Sequence, residues 1–190
     1  MTRKILKYTL VFSVIVYISV DIYIYFCYSD GRTAKTLAWT TSYYSTVPDD
    51  SIPDNIINAF GKVFPNSLTN KIYPDLLWCI FTPRHNNSYV QINYAYDLTT
   101  TTRLKLISVA NQLDNQLTKK QCIYGYLCHF HFLNSARRGI IKAAKVYYNK
   151  DLKSLTETEC LELMIMTKNP ALFDKFRHQD KLDEEVKKVL

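Results

Sequence analysis

Glycine is scarce in this sequence, with four residues in 190 and no two near each other. That excludes the Gly-rich phosphate loops of nucleotide-binding proteins, where bare backbone must approach a phosphate closely. A nucleophile elbow and a carboxylate–histidine metal motif are also missing. Proline is sparse as well, with six residues, and no low-complexity tract or internal repeat interrupts the chain. Cations outnumber acids, 24 to 17, for a net charge of +7. They never gather into the Lys/Arg run of a nucleic-acid binder, so nucleic acid is excluded as a partner.

What is abundant is apolar. Hydrophobic residues make up 47% of the chain, with 15 Tyr and 9 Phe, enough to build a core and to exclude a disordered chain. The length predicts one globular domain with appendages. Arg3, Lys4 and Lys7 precede a long apolar tract, YTLVFSVIVYISVDIYIYFCY, over residues 8–28. About 20 such residues cross a bilayer core of about 30 Å. The tract exceeds the apolar stretch of a cleaved signal, and no small-residue cleavage site follows it. It is therefore expected to be an uncleaved transmembrane helix, with residues 1–7 cytoplasmic and the body exported. Asp21 falls toward the outer end of the span, where its carboxylate can reach water.

Residues 29–53, polar and marked by Pro48 and Pro53, read as a connector. Ser51-Ile52-Pro53-Asp54 reads as a helix start. A short apolar segment over 74–81 and a loop over 82–87 follow. From Arg103 helical signals strengthen: Leu104, Ile107, Ala110 and Leu113 lie on one face, and Leu117-Thr118-Lys119 opens the next segment. Ile140, Ala143, Ala144 and Tyr147 then give an i, i+3, i+4, i+7 face. Thr156 and Glu159 form a capping box, and the helix it starts ends at Asn169-Pro170. Residues 171–190 read as an amphipathic tail helix. The body is mainly α.

Cys27 lies in the apolar tract, leaving Cys79, Cys122, Cys128 and Cys160 in the body. Spacing does not assign disulfides, and buried free thiols are the preferred reading. Cys122, Cys128, His129 and His131 are ligand types that zinc accepts, but their spacing lacks the two separated pairs of a structural site. They are read as packed residues, and neither metal nor cofactor is expected.

The segment over 139–170, GIIKAAKVYYNKDLKSLTETECLELMIMTKNP, resembles the last part of the family 51 glycosyltransferase domain. That is the lysozyme-like domain of peptidoglycan glycosyltransferases and penicillin-binding proteins. The residues that carry the resemblance are Gly139, Ala143, Ala144, Tyr147, Tyr148, Lys150, Leu155, Thr156, Glu159, Asn169 and Pro170, with Asn149 where the family has a glycine. Leu117-Thr118-Lys119 through Tyr126-Leu127 is similar to the family's Leu-Ser-Lys motif, with Tyr124 and Cys128 replacing a Glu and an Asn. Further back, Lys105, Ala110 and Leu113 stay in register with the Arg-Lys-x-x-Glu motif. Asn86–Asn93 can be laid on a Gly-Gly-Ser-Thr-Ile-Thr-Gln-Gln motif, keeping Ser88. The resemblance covers about residues 54–170.

It implies joining of lipid-linked disaccharides, with one carboxylate taking the acceptor proton while cations and a second carboxylate handle the departing pyrophosphate. The two catalytic Glu positions align with Phe60 and Leu106, neither of which can carry a proton. Loss of a positioned general base typically costs 10²–10⁴-fold in rate. Asp75, Asp97, Asp114 and Glu157 are the available stand-ins. Ser88, Arg103, Lys105 and Lys119 are the candidate substrate-binding residues. Three readings follow: a noncatalytic, membrane-anchored modulator of cell-wall assembly, touching membrane lipid, lipid II or glycan strands, or a cell-wall synthase; an active divergent lipid II polymerase; and an unrelated envelope or immunity-type protein on the same fold.

Overall fold

A computed structural model describes residues 2–26, 31–72, 89–98, 102–133 and 139–190. Among them are nine α-helices, two short 3-10 turns and no strand. The helices are α1 (Thr2–Phe26), α2 (Gly31–Ser45), α3 (Asp54–Val63), α4 (Val90–Leu98), α5 (Arg103–Gln116), α6 (Lys119–His129), α7 (Ile140–Tyr148), α8 (Glu157–Lys168) and α9 (Gln179–Val189). The 3-10 turns, Asp49–Ser51 and Leu152–Ser154, precede α3 and α8.

The mainly α expectation holds, and the centre is α8. Every residue from Cys160 to Thr167 is buried, as expected of a helix enclosed by neighbours on all sides. Helices α3, α7 and α9 pack around it. A second group, α2, α4, α5 and α6, joins the first through α3–α6 and α6–α7 contacts. One continuous core runs through both groups.

The predicted helix starts and stops are made as their chemistry requires. Thr156 Oγ1 accepts from the Glu159 N–H, while Glu159 accepts from the Thr156 N–H at 2.8 Å. Thr118 and Gln121 repeat the device at the start of α6, satisfying backbone donors that the first turn leaves unpaired. On α7 the buried residues are the predicted four, Ile140, Ala143, Ala144 and Tyr147. Asn149 ends that helix at φ 54°, the left-handed conformation that Asn tolerates better than most residues.

Two expectations change, and the transmembrane one is not confirmed. The stretch read as the connector 29–53 contains α2, whose inner face buries Thr33, Leu37, Thr40, Thr41 and Tyr44. Threonine makes that stripe look polar, but Thr41 Oγ1 donates back to the Leu37 carbonyl at 3.0 Å. The hydroxyl is thus satisfied within its own helix and the methyl packs. The tail 171–190 is helical only over Gln179–Val189. It buries Leu182 and Val186, and α9 packs against α8, so it is part of the body. The apolar tract over 8–28 lies largely in α1, whose apolar side chains are broadly exposed and whose Val20 touches the core. Among the described residues, no helix is long and apolar enough to cross a membrane. The segment 74–87, with Asp75 and Cys79, lies outside the described residues, as do Cys27, Ser88 and the side chain of Asp97.

Candidate functional site

The two positions that the sequence resemblance sets against catalytic carboxylates are interior. Phe60, on α3, has no exposed surface and packs its ring 4.7 Å from Phe64 and 6.3 Å from Tyr126, centroid to centroid. Leu106, one turn into α5, is buried in the same core. An ionised carboxylate at either place would be stripped of water with no charge partner assured.

The candidate cations are not gathered together. Arg103 and Lys105 occupy the first turn of α5, which holds no acidic residue. Lys119 starts α6, and its ammonium lies at the far end of α5, 3.0 Å from Asp114 Oδ1 and 2.6 Å from the Asn70 carbonyl. Arg103 and Asp114 are eleven residues apart, about 16 Å along the helix axis. Asp114 is a hub rather than a poised base. Its Oδ1 also accepts from Gln91 at 2.6 Å, and its Oδ2 accepts from the Ile72 N–H at 2.8 Å. A carboxylate so fully hydrogen-bonded has little capacity left for a substrate proton.

A groove of about 590 Å³ opens between α3 and the start of α8, lined by Asn58, Gly61, Lys62, Asn66, Leu68, Thr69 and Glu157. Its amides and hydroxyl suit a ligand rich in hydroxyl groups. Asn66 reaches its place at φ 69°, the second left-handed asparagine. Glu157 is ion-paired to Lys62 across the groove, and both side chains remain well exposed. Of the described stand-in acids, Glu157 faces this groove while Asp114 is spent inside the fold.

The Cys122–His131 residues are not convergent. Burial pushes the Cys122 thiol up to about 12 and the Cys128 thiol up to about 11, so both stay protonated near neutral pH. His129 Nδ1 lies 2.9 Å from the Gly125 carbonyl, and His131 is exposed. Cys122, Cys128 and Cys160 are free thiols. Among the described residues no group of three or more His, Cys, Asp or Glu is placed to hold a metal.

Sequence reasoning missed the carboxylates clasped by the Tyr147-Tyr148 pair. Tyr147 donates to Asp174 at 3.0 Å, and Tyr148 donates to Glu162 at 2.6 Å. Lys175 completes the second cluster, its ammonium pairing with Glu162 and lying 4.4 Å from the Tyr148 ring centroid. Burial first, then the Glu162 hydrogen bond, pushes the Tyr148 phenol far above its ordinary value. The signal was present: Glu162 is a lone acid inside the apolar run CLELMIM, and acids are seldom buried without a partner.

The same C-terminal half carries the likeness to a known family. Residues 87–190 match the family model described as transglycosylase. Over 78 residues the chain is 33% identical to penicillin-binding protein 4 of Bacillus subtilis (strain 168). The aligned stretch is 41% of this chain and 12% of that protein, so the chain spans a small part of this relative's length. With the family match extending over more than half of its residues, the chain belongs to the transglycosylase family.

Proposed function

We propose that this chain is a noncatalytic member of the transglycosylase family, held at the membrane by α1, that binds lipid-linked glycan and modulates peptidoglycan assembly. The observation that carries the reading is the pair Phe60 and Leu106, apolar and sealed in the core at the two positions where the resemblance read from the sequence expects carboxylates, Phe60 lying before the matched residues 87–190. Glycosyl transfer needs a base within reach of the acceptor hydroxyl, about 2.6–3.2 Å from it. Asp114, Glu162 and Asp174 are all committed to internal donors. Binding chemistry is retained. The groove beside α3 offers Asn58, Asn66 and Thr69 to sugar hydroxyls. Arg103 and Lys105 sit in the first turn of α5, where the positive end of the helix dipole favours a pyrophosphate. Attachment rests on the exposed apolar side chains of α1, and the proposed arrangement sets the body beside a cell-wall synthase.

One observation favours a second reading, an active divergent polymerase: Glu157 is a carboxylate on the groove. A lipid II polymerisation assay on the full-length protein separates the two. The noncatalytic reading expects lipid II retention without glycan chains. Chains that form with the native protein and vanish with Glu157→Gln would replace it with the second reading.

A further inference from the structure

The outer face of α2 has no role in either reading, yet it has a definite composition. At 3.6 residues per turn, Arg32, Lys35, Trp39 and Tyr43 fall within roughly 80° of arc on one side of the helix. All four are exposed, Trp39 at 61% and Tyr43 at 54%. The buried stripe of Thr33, Leu37, Thr40, Thr41 and Tyr44 occupies the opposite side and seats the helix on α4, α5 and α6. The two exposed rings stack, with centroids 5.5 Å apart and planes 8° from parallel. They form a flat aromatic plate on a helix anchored from behind.

Cations followed by Trp and Tyr on one helical face match the chemistry of a bilayer surface. The basic groups meet anionic headgroups, and the amphipathic rings rest at headgroup depth. The chain's path supports this occupant over others. Helix α2 begins five residues after α1 ends, a tether of at most about 18 Å. If α1 enters the bilayer, α2 is therefore held close to its surface. Setting aside Arg3, Lys4 and Lys7 before the apolar tract, the rest of the chain keeps a net charge of +4 (+7 less 3), attraction of the right sign.

We infer that the Arg32–Lys35–Trp39–Tyr43 face of α2 lies flat on an anionic membrane surface and sets how the body stands on the bilayer. This rests on reading α1 as the anchor. The four residues span about 16 Å along the helix, so they reach one plane together only with the α2 axis parallel to it. Because α2 is fixed to α4, α5 and α6, that contact determines which side of the body faces the lipid.

The test uses the full-length chain with Trp78→Phe, which leaves Trp39 as the sole tryptophan. The protein is reconstituted into phosphatidylcholine vesicles with or without 30% phosphatidylglycerol. Flotation reads the anchor, and Trp39 quenching by lipids brominated near the headgroup reads the α2 contact. The expected result is flotation in both vesicles, with Trp39 emission in the anionic vesicles blue-shifted and reduced by at least half on bromination. Arg32→Gln with Lys35→Gln should weaken the contact on the order of 25-fold, about fivefold for each basic residue at an anionic surface, while flotation persists. Flotation with Trp39 unquenched by bromolipid and open to aqueous iodide would overturn the α2 contact and leave the anchor standing. Shielding of Trp39 from both quenchers, as a protein partner on that face would produce, would overturn the contact equally. Failure to float in either vesicle would overturn the anchor and the inference together. Arg32 and Lys35 are exposed on the outer face of α2, so their substitution leaves its buried stripe in place.

Discussion

The Lys119 ammonium joins Asp114 Oδ1 at 3.0 Å and the Asn70 carbonyl at 2.6 Å, tying the first turn of α6 to the last turn of α5 and to the segment after α3. Asp114 also holds Gln91 and the Ile72 N–H. Removing its carboxylate therefore takes an acceptor from three donors at once, leaving Lys119 and Gln91 only the Asn70 carbonyl and the Ile72 N–H without this partner. Asp114→Ala is expected to cost about 2–4 kcal/mol, below the full range for a broken buried pair because both side chains keep some contact with water. Asp114→Asn, which keeps an acceptor, should cost about half as much. The measurement is the urea midpoint at constant slope. A loss under about 1 kcal/mol for Asp114→Ala would mean that the hub does not hold these elements together.

Phe60 and Leu106 invite an obvious repair, which should fail. Phe60→Glu and Leu106→Glu each place a carboxylate inside the core, where an unpaired charge costs several kcal/mol or is neutralised by protonation. The expected outcome is a lowered melting temperature and no polymer from lipid II. Either variant folding normally and gaining polymerase activity would show that the position faces substrate after all.

How much could be read in advance depended on whether local chemistry or packing decided the outcome. The starts at Thr118 and Thr156 were legible because each depends on residues within four positions along the chain. The four buried residues of α7 were legible because a small-residue face keeps the helical period. Helix α2 was not, because three of the five residues on its inner stripe are threonine, which reads as polar, although Thr41 turns its hydroxyl back on its own helix. The division of the cations was also hidden. Arg103, Lys105 and Lys119 look like one set, but a fourteen-residue helix carries the first two away from the third. The groove brings Asn58 and Lys62 to Glu157, a pairing about a hundred residues apart that no motif announces.

Stability should have an acid limb traceable to named pairs. Burial alone would raise Glu159, but the Lys150 ammonium at 2.7 Å and the Thr156 N–H outweigh it and hold the carboxyl below its ordinary value. Lys188 and Lys168 hold Glu185 down in the same way. A depressed folded value means that the unfolded chain binds the proton more tightly. The stabilisation is therefore present above the ordinary value of 4.5 and lost as pH falls through the folded value. Unfolding midpoints measured from pH 7 downward should decline below about 4.5, and Glu159→Gln with Glu185→Gln should flatten that decline. An unchanged slope in the double variant would assign the acid limb to other carboxylates.

Gly125 and Gly139 should respond differently to the same added methyl. Gly125 is inside α6, where alanine would ordinarily gain roughly 0.5–1 kcal/mol. Its Cβ, however, would lie 2.7 Å from the Tyr94 hydroxyl and 2.8–2.9 Å from two ring carbons. Tyr94 is fully buried and cannot swing away, so overpacking of about 1–3 kcal/mol should prevail and Gly125→Ala should destabilise. The opposing atoms belong to a side chain, so Tyr94→Leu should relieve the clash, and a double-mutant cycle should give favourable coupling. At Gly139 the Cβ would meet the Cys128 carbonyl oxygen at 2.7 Å, and φ is 105°. Both obstacles are backbone, so Gly139→Ala should cost more and no side-chain substitution should recover it. Additive behaviour of Gly125→Ala with Tyr94→Leu would mean that α6 shifts to accommodate the methyl, and the close approach of α4 to α6 would then owe nothing to the glycine.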